Sequence, residues 1–220
     1  MTNIKKNDDI KLENIKYLPI QNKNEYNKYI KIRYKENKED PLIIQTPYFY
    51  IPLGIGTNQL NNYNFLDLSF NNEIDEIELK NFKIFLNSID KKIINDAFEY
   101  KKEWFINEYN ELDQIENIYR KQVNNSFNDL SNFNFDYLRV YLPKFENNWD
   151  FEIYDENKNN ITNNKISLEC SYCRFILICD GLWFNNDNFG ISWRVAQIQC
   201  KEIHLSNNFI FKDYISNKNI

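Results

Sequence analysis

The chain has 220 residues, is 42% hydrophobic and 16% aromatic, and carries a formal net charge of −5. That length buries a core without disulfide or metal staples. The acidic balance argues against a strongly cationic binder of duplex DNA, though not against a local basic groove on an acidic body. Asn is over-represented against ordinary usage, while alanine occurs only at Ala97 and Ala196. Asn, Lys, Ile, Tyr and Phe share AT-rich codons, so the bias reads as a property of the source genome.

The segment Met1 to Asp9 has no apolar h-region and no run is long enough to span a membrane. The protein is therefore expected in the cytoplasm or nucleus, not secreted, with its four cysteines reduced.

Residues 1–26 are polar, with a weak extended patch from Ile15 to Ile20. From Asn27 to Tyr34 the chain alternates: Ile30, Ile32 and Tyr34 point one way, Tyr29, Lys31 and Arg33 the other, which predicts a half-buried strand. Asn37 to Pro41 reads as a turn. Leu42 to Ile51 is apolar and aromatic but broken by Pro47, as in a strand with an edge or bulge position. Gly54 to Asn64 is a loop, and Leu66, Leu68 and Phe70 alternate as a further strand.

At about Glu73 the period changes. Phe82, Leu86, Ile89, Ile93, Ala97, Tyr100 and Trp104 recur every three or four residues and predict a long amphipathic helix. Leu112, Ile115, Tyr119 and Val123 predict a second helical stretch, running into the polar segment Asn124 to Asn132.

Alternation then returns. Leu138, Val140 and Leu142 oppose Tyr137, Arg139 and Tyr141, and Pro143 ends that strand. Phe151 to Tyr154 is a short strand and Glu156 to Asn164 a loop. Leu168 to Phe184 reads as a central strand buried on both faces. Asn185 to Asn188 is a turn and Ile191 to Ile203 the last strand, so residues 168–203 form a β-hairpin. The layout is a single domain over 1–220, with strands in 27–70 and 137–203, a helical insertion at 73–124, and polar termini at 1–26 and 205–220. Strands at both ends with helices between them give an α+β fold, a closed or nearly closed antiparallel barrel with a helical cap.

Three constellations bear on chemistry. Cys170 and Cys173 form a C-x₂-C, and Cys200 and His204 stand four apart. Zinc requires four such ligands to converge, but this C-x₂-C leads straight into a strand, so small buried hairpin residues are the better reading and no metal is assigned. His204 is the lone histidine, which argues against a His-based triad. Gly54-Ile55-Gly56 lacks the third glycine of a dinucleotide loop. Asp67, Asp150, Glu152 and Asp180 are the carboxylates a metal-dependent nuclease would use, but read better as solvated strand ends. No catalytic residue and no cofactor are assigned.

The third constellation is rings and cations interleaved on strands. Single-strand binding needs cations that track phosphates and flat rings that stack on unpaired bases. Tyr29/Lys31/Arg33 and Tyr137/Arg139/Tyr141 have that form at period two. Trp183 and Phe184 precede the final turn, and Trp193 and Arg194 follow it. The competing reading is that any Tyr- and Lys-rich strand shows such alternation and that both tryptophans cap the core.

The stretch Cys179-Asp180-Gly181-Leu182-Trp183-Phe184, the Asn-rich turn, and Phe189-Gly190-Ile191-Ser192-Trp193-Arg194-Val195-Ala196-Gln197-Ile198-Gln199 resemble the closing hairpin of OB-fold single-stranded-DNA-binding proteins of the short-tailed-phage type. Relatives of that family occur in large DNA viruses of eukaryotes, where a G-hydrophobic-S…VQ pattern opens the last barrel strand. Residues 40–47 are similar to an early strand of those relatives, and the family places a long helix between barrel strands, as at 75–105 here. The chain departs from the family in its last ten residues, which hold one acid, Asp213, instead of an acidic tail.

The resemblance implies an OB-like barrel with a helical insertion. It also implies a non-catalytic, largely sequence-independent binder of single-stranded DNA in viral replication, recombination or repair. Tyr29, Tyr137, Tyr141, Trp183 and Trp193 would stack on bases. Lys31, Arg33, Arg139, Lys144, Arg174 and Arg194 would meet phosphates. Replication proteins are the implied partners, no membrane is involved, and a homo-oligomer stays open. The alternative is a virion component or assembly factor using the long helix as interface.

Overall fold

The structure is a computed structural model. It describes every residue except 1–3, 23–26, 35–39, 60–62, 72–74, 128–133, 147, 163–166, 186–187 and 203–220. The expected turn over 37–41 lies largely outside the described residues, and the segment beyond 202, with His204, wholly so.

Five strands close a ring: β1 (Phe49–Ile51), β2 (Tyr63–Ser69), β3 (Asn134–Leu142), β4 (Ser171–Phe184) and β5 (Phe189–Glu202). Hydrogen bonding runs β1-β2-β3-β5-β4 and returns from β4 to β1. This is an OB-like barrel in an α+β chain. The sequence predicts an antiparallel barrel, and four of its seams are antiparallel. The fifth, β3 to β5, is parallel, with Tyr141 opposite Arg194. A closed ring with an odd number of strands cannot alternate direction all the way round, so one parallel seam is obligatory.

Inward alternation fills the barrel. Leu66 and Leu68 of β2, Leu138, Val140 and Leu142 of β3, Phe175 and Leu177 of β4, and Val195 and Ile198 of β5 are all buried. Ile30, Ile32 and Tyr34 are buried too, while Tyr29, Lys31 and Arg33 are half-exposed. The predicted strand from 27 to 34 is two short ones, Lys28–Ile30 and Ile32–Tyr34. The first pairs with β4 and the second with Ile15–Tyr17. Pro47 likewise separates Ile43–Gln45 from β1. Across that gap Phe175 donates its backbone N–H to the Thr46 hydroxyl at 3.0 Å, so the interrupted ladder is satisfied by a side chain.

One long helix, α1 (Glu76–Glu99), lies between β2 and β3. Leu79, Phe82, Leu86, Ile89, Ile93 and Ala97 are its buried stripe, at the spacing that puts side chains on one helical face. Phe82 meets Phe49 of β1 edge-on, with centroids 5.8 Å apart. The chain continues through a separate turn of helix, Lys101–Trp104. There Trp104 and Phe105 pack on Phe184, which stacks on Phe189 at 5.4 Å to close the base of the hairpin turn. The second predicted helix is shorter than its pattern suggests. It covers Leu112–Ile118, after which Tyr119–Arg120 pairs with β5 and Val123–Phe127 with β3. Tyr119 and Val123 stand at helical spacing from Ile115, but the open edges of β5 and β3 offer those backbones a ladder, and pairing wins over local period.

β4 carries the sharpest backbone constraint. Gly181 has φ +121°, and a Cβ there would stand 2.1 Å from the Ile30 carbonyl oxygen. The register with β5 slips at this point, between Cys179 and Gly181. Gly181→Ala is therefore expected to cost more than about 2 kcal/mol, combining a disallowed φ with a backbone clash. Urea unfolding followed by circular dichroism measures it, and a loss under about 0.5 kcal/mol, the range of a neutral surface change, would contradict the geometry.

Candidate nucleic-acid interface

A groove of about 880 Å³ opens among the described residues. It crosses the outer face of β2 and β3 and the base of the β4–β5 turn, with residues 27–29 and 120–124 as its rims. Tyr63 and Phe65 come from β2, Arg139 and Tyr141 from β3, Trp183 from β4, Tyr29 and Lys28 from the flanking strand, and Arg120 and Lys121 from the segment after the second helix. Four cations line the groove and none of its lining residues is acidic, on a chain whose net charge is −5.

The local geometry presents the rings. Trp183 stands opposite Tyr29 on one side and Gly190 on the other. A Cβ on Gly190 would come within 2.9 Å of the Trp183 indole, so the absent side chain lets the ring lie over the β5 backbone. Tyr63 and Tyr141 meet edge-on at 6.1 Å. Arg139 forms a two-point ion pair with Asp67, directly opposite in register, through Nε at 2.7 Å and Nη2 at 2.8 Å. The carboxylate raises the guanidinium's pKa and holds it charged.

Beneath the groove lies a buried polar network. Asp90, on the inner face of α1, accepts from the Tyr119 hydroxyl at 2.6 Å and from Gln122 through its backbone N–H at 3.2 Å and Nε2 at 2.7 Å. The Gln122 Oε1 in turn accepts the Trp193 indole N–H at 2.6 Å. Helix, rim and barrel are thus tied through one carboxylate, and the rim so fixed carries Arg120 and Lys121. Burial raises the Asp90 pKa, and the bonds from Tyr119 and Gln122 oppose the rise.

Of the residues expected from the sequence to bind, Tyr29, Arg139, Tyr141 and Trp183 come together in the groove. Trp193 does not serve as a stacking ring. It is 2% exposed, forms part of the groove's floor, and spends its N–H on Gln122. Its place on β5 is in phase with Val195, inside the barrel. The other expected contacts lie off the groove. Arg194 pairs with Asp180 at 2.8 Å. Lys144 sits over Trp149 in a small separate hairpin. Arg33 faces Lys16 across a two-stranded ribbon. Tyr137 packs against Phe135. Lys31 borders the Gly181 bulge. Arg174 lines a second cleft of about 290 Å³, with Gln199 bound to its Nε at 2.8 Å.

Missed from the sequence were Lys28, Tyr63, Phe65, Arg120 and Lys121. Tyr63, Phe65 and Asp67 alternate with the inward Leu66 and Leu68, a readable signal. Arg120 and Lys121 were hidden by the helical spacing around them.

The carboxylates weighed for a nuclease are dispersed. Asp67 and Asp180 hold arginines, and Glu152 accepts from Tyr154 and Gln197. Cys173 and Cys200 face each other across the hairpin with sulfurs 2.9 Å apart, while Cys170 is exposed. Among the described residues no three His, Cys, Asp or Glu side chains gather as a metal site.

A model of a family of unknown function, DUF5871, matches residues 62–216. The chain belongs to that family. The match begins at the start of β2 and takes in α1, β3, β4 and β5. No curated protein matches the chain. Among solved structures, the crystal structure of gp2.5, a single-stranded DNA binding protein encoded by bacteriophage T7, is similar at a TM-score of 0.45 and 8% identity, over 82% of this chain and 98% of that one.

The network makes its own prediction. Tyr119→Phe removes one donor from a buried carboxylate and is expected to cost about 2 kcal/mol near pH 7. A raised pKa means the folded chain keeps a proton that the unfolded chain has released, so stability falls as pH rises through that window. Removing the hydroxyl raises the Asp90 pKa further, so the deficit should shrink as pH falls and Asp90 protonates. Urea midpoints measured from pH 4 to pH 8 test the sign. A deficit that grows on acidification would contradict it.

Proposed function

We propose that the chain binds single-stranded DNA in this groove, without strong dependence on sequence, in replication, recombination or repair. The observation that carries the reading is the groove itself: cations and rings converge there, with no acidic lining residue, on an acidic molecule. Rings accept bases of any identity, and cations follow phosphates. Its position supports the reading as well, because barrels of this type take oligonucleotides on the face of their second and third strands and beside the loops joining the first to the second and the fourth to the fifth. Trp183, Tyr29 and Tyr141 are the proposed stacking rings, and Lys28, Arg120 and Lys121 the proposed phosphate contacts. A viral origin, and replication proteins as partners, belong to the same proposal and rest on the resemblance of the closing hairpin.

A second reading, an assembly protein that uses its helix as interface, is favoured by one observation. Ile77 and Ile84, two turns apart on α1, are 77% and 58% exposed. Concentration-dependent mass by light scattering separates the two, since an interface there predicts self-association that Ile84→Glu abolishes.

Anisotropy of labelled oligo(dT), titrated at several salt concentrations with duplex as control, tests the first reading. Preference for the single strand and a steep salt dependence are expected. Trp183→Ala should weaken binding by about 1–3 kcal/mol, and Arg120→Ala should flatten the salt slope by about 0.7. Equal affinity for duplex, or none at low salt, would overturn the reading.

A further inference from the structure

The geometry points to Arg139 as a stacking platform for an unpaired base, not a phosphate contact, with Asp67 as its positioning residue. This rests on the single-strand reading of the groove. Three observations carry it. First, the charge is already met: Asp67 takes the Nε and Nη2 edge of the guanidinium with both carboxylate oxygens, the two-point geometry that suits this pair best. A phosphate arriving there would compete with a carboxylate that is held in place and only 11% exposed.

Second, the guanidinium plane is backed. Its central carbon lies 3.9 Å from the centroid of Phe65, and the Tyr137 ring lies 5.6 Å away. A cation this close to a ring centre lies on the ring's face. Third, 40% of the Arg139 side chain remains exposed, and it lines the groove together with Phe65 and Tyr141. A flat group is thus fixed at one edge, supported by an aromatic ring, and left accessible to the groove. Bases stack on arginine planes as they do on rings, so Arg139 extends the series that Trp183, Tyr29 and Tyr141 begin. Asp67 does not touch the ligand. It fixes the plane and removes the net charge.

Charge and plane can be separated by experiment, because lysine keeps the first and loses the second. Affinity for oligo(dT) would be measured across a salt series for wild type, R139K, R139A, the double variant D67A/R139A and, as reference, R120A. The double variant leaves no stranded carboxylate, and thermal melts confirm that each variant is folded. We expect R139K and R139A to lose affinity alike, roughly tenfold, as for one stacked base, with the salt slope of wild type. D67A/R139A should show the same unchanged slope, while R120A flattens it by about 0.7. Wild-type affinity in R139K, or a slope flattened by about 0.7 in R139A, would make Arg139 a phosphate contact and overturn the proposal while leaving the groove reading intact. A wild-type chain that binds no oligo(dT) overturns both.

Discussion

Strand β4 is the constraint on which the rest of this structure depends. Along one edge it pairs with β5 from Tyr172 to Phe184. Along the other it accepts three separate pieces in turn: β1 at Ser171–Cys173, Ile43–Gln45 at Ile176–Ile178, and Lys28–Ile30 at Leu182–Phe184. None of these pieces is long enough to be a stable sheet partner by itself. Each is held because β4 supplies a continuous ladder and a buried row of Cys173, Phe175, Leu177 and Cys179. The barrel closes when β5, fixed by β4, meets β3 in parallel. The groove then follows from closure, since it occupies the face where β2, β3 and the end of the hairpin come together.

Charge is distributed by the same logic. The acidic body pairs several of its cations where they stand: Arg194 with Asp180 and Arg139 with Asp67 on the strands, and Lys83 of α1 with Asp136 of β3. Exposed pairs of this kind add little stability, about 0–1 kcal/mol each. Their effect is on the field: a cation beside a carboxylate no longer attracts phosphate at a distance. Of the three cations on the groove's rims, Lys28, Arg120 and Lys121, only Lys121 meets a carboxylate among the described residues, the exposed Glu116 at 3.1 Å. Two of the three sit on the segment that Asp90 and Gln122 anchor from below. A buried carboxylate thus holds surface cations in position without contacting them. That network also explains why Trp193 is where it is. An indole inside a barrel needs a partner for its N–H, and Gln122 provides it.

The parts legible in the sequence were those with one period over many residues. The helix from 76 to 99 follows from its stripe, and the hairpin of β4 and β5 from two long alternations around an Asn-rich turn. The barrel class was reached from the order of those elements together with the resemblance of the closing hairpin. Tyr29, Arg139 and Tyr141 were found because rings and cations at period two must share a face, and Trp183 by its place before the hairpin turn. The same rule also selected Lys31 and Arg33, and the turn selected Arg194, because neither signal reports which face a third element will cover or which cation a carboxylate will meet. Asp67 lies 72 residues before Arg139, and nothing local couples them. The rim at 120–124 was illegible for a different reason. Its apolar spacing satisfies a helix as well as a strand, and the decision rests with the free edges of β3 and β5, the second of which is built from residues far along the chain.

The two tryptophans of the hairpin show how a single backbone position decides which ring is exposed. Along β4 the buried residues are odd-numbered up to Cys179. Were that phase kept, residue 183 would point inward and Trp183 would join the core. Instead the register slips between Cys179 and Gly181, and beyond it Leu182 and Phe184 are buried while Trp183 is half-exposed. An extra residue in one strand exchanges the two faces from that point on. Gly181 is what permits the slip, because at φ +121° with the Ile30 carbonyl against its Cα no other residue fits. On β5 the phase holds from Trp193 to Val195, and Trp193 stays inside. Two similar residues ten positions apart therefore take opposite roles, one a partner in the core and the other a surface of the groove. The cause is a bulge whose signature in the sequence is one glycine.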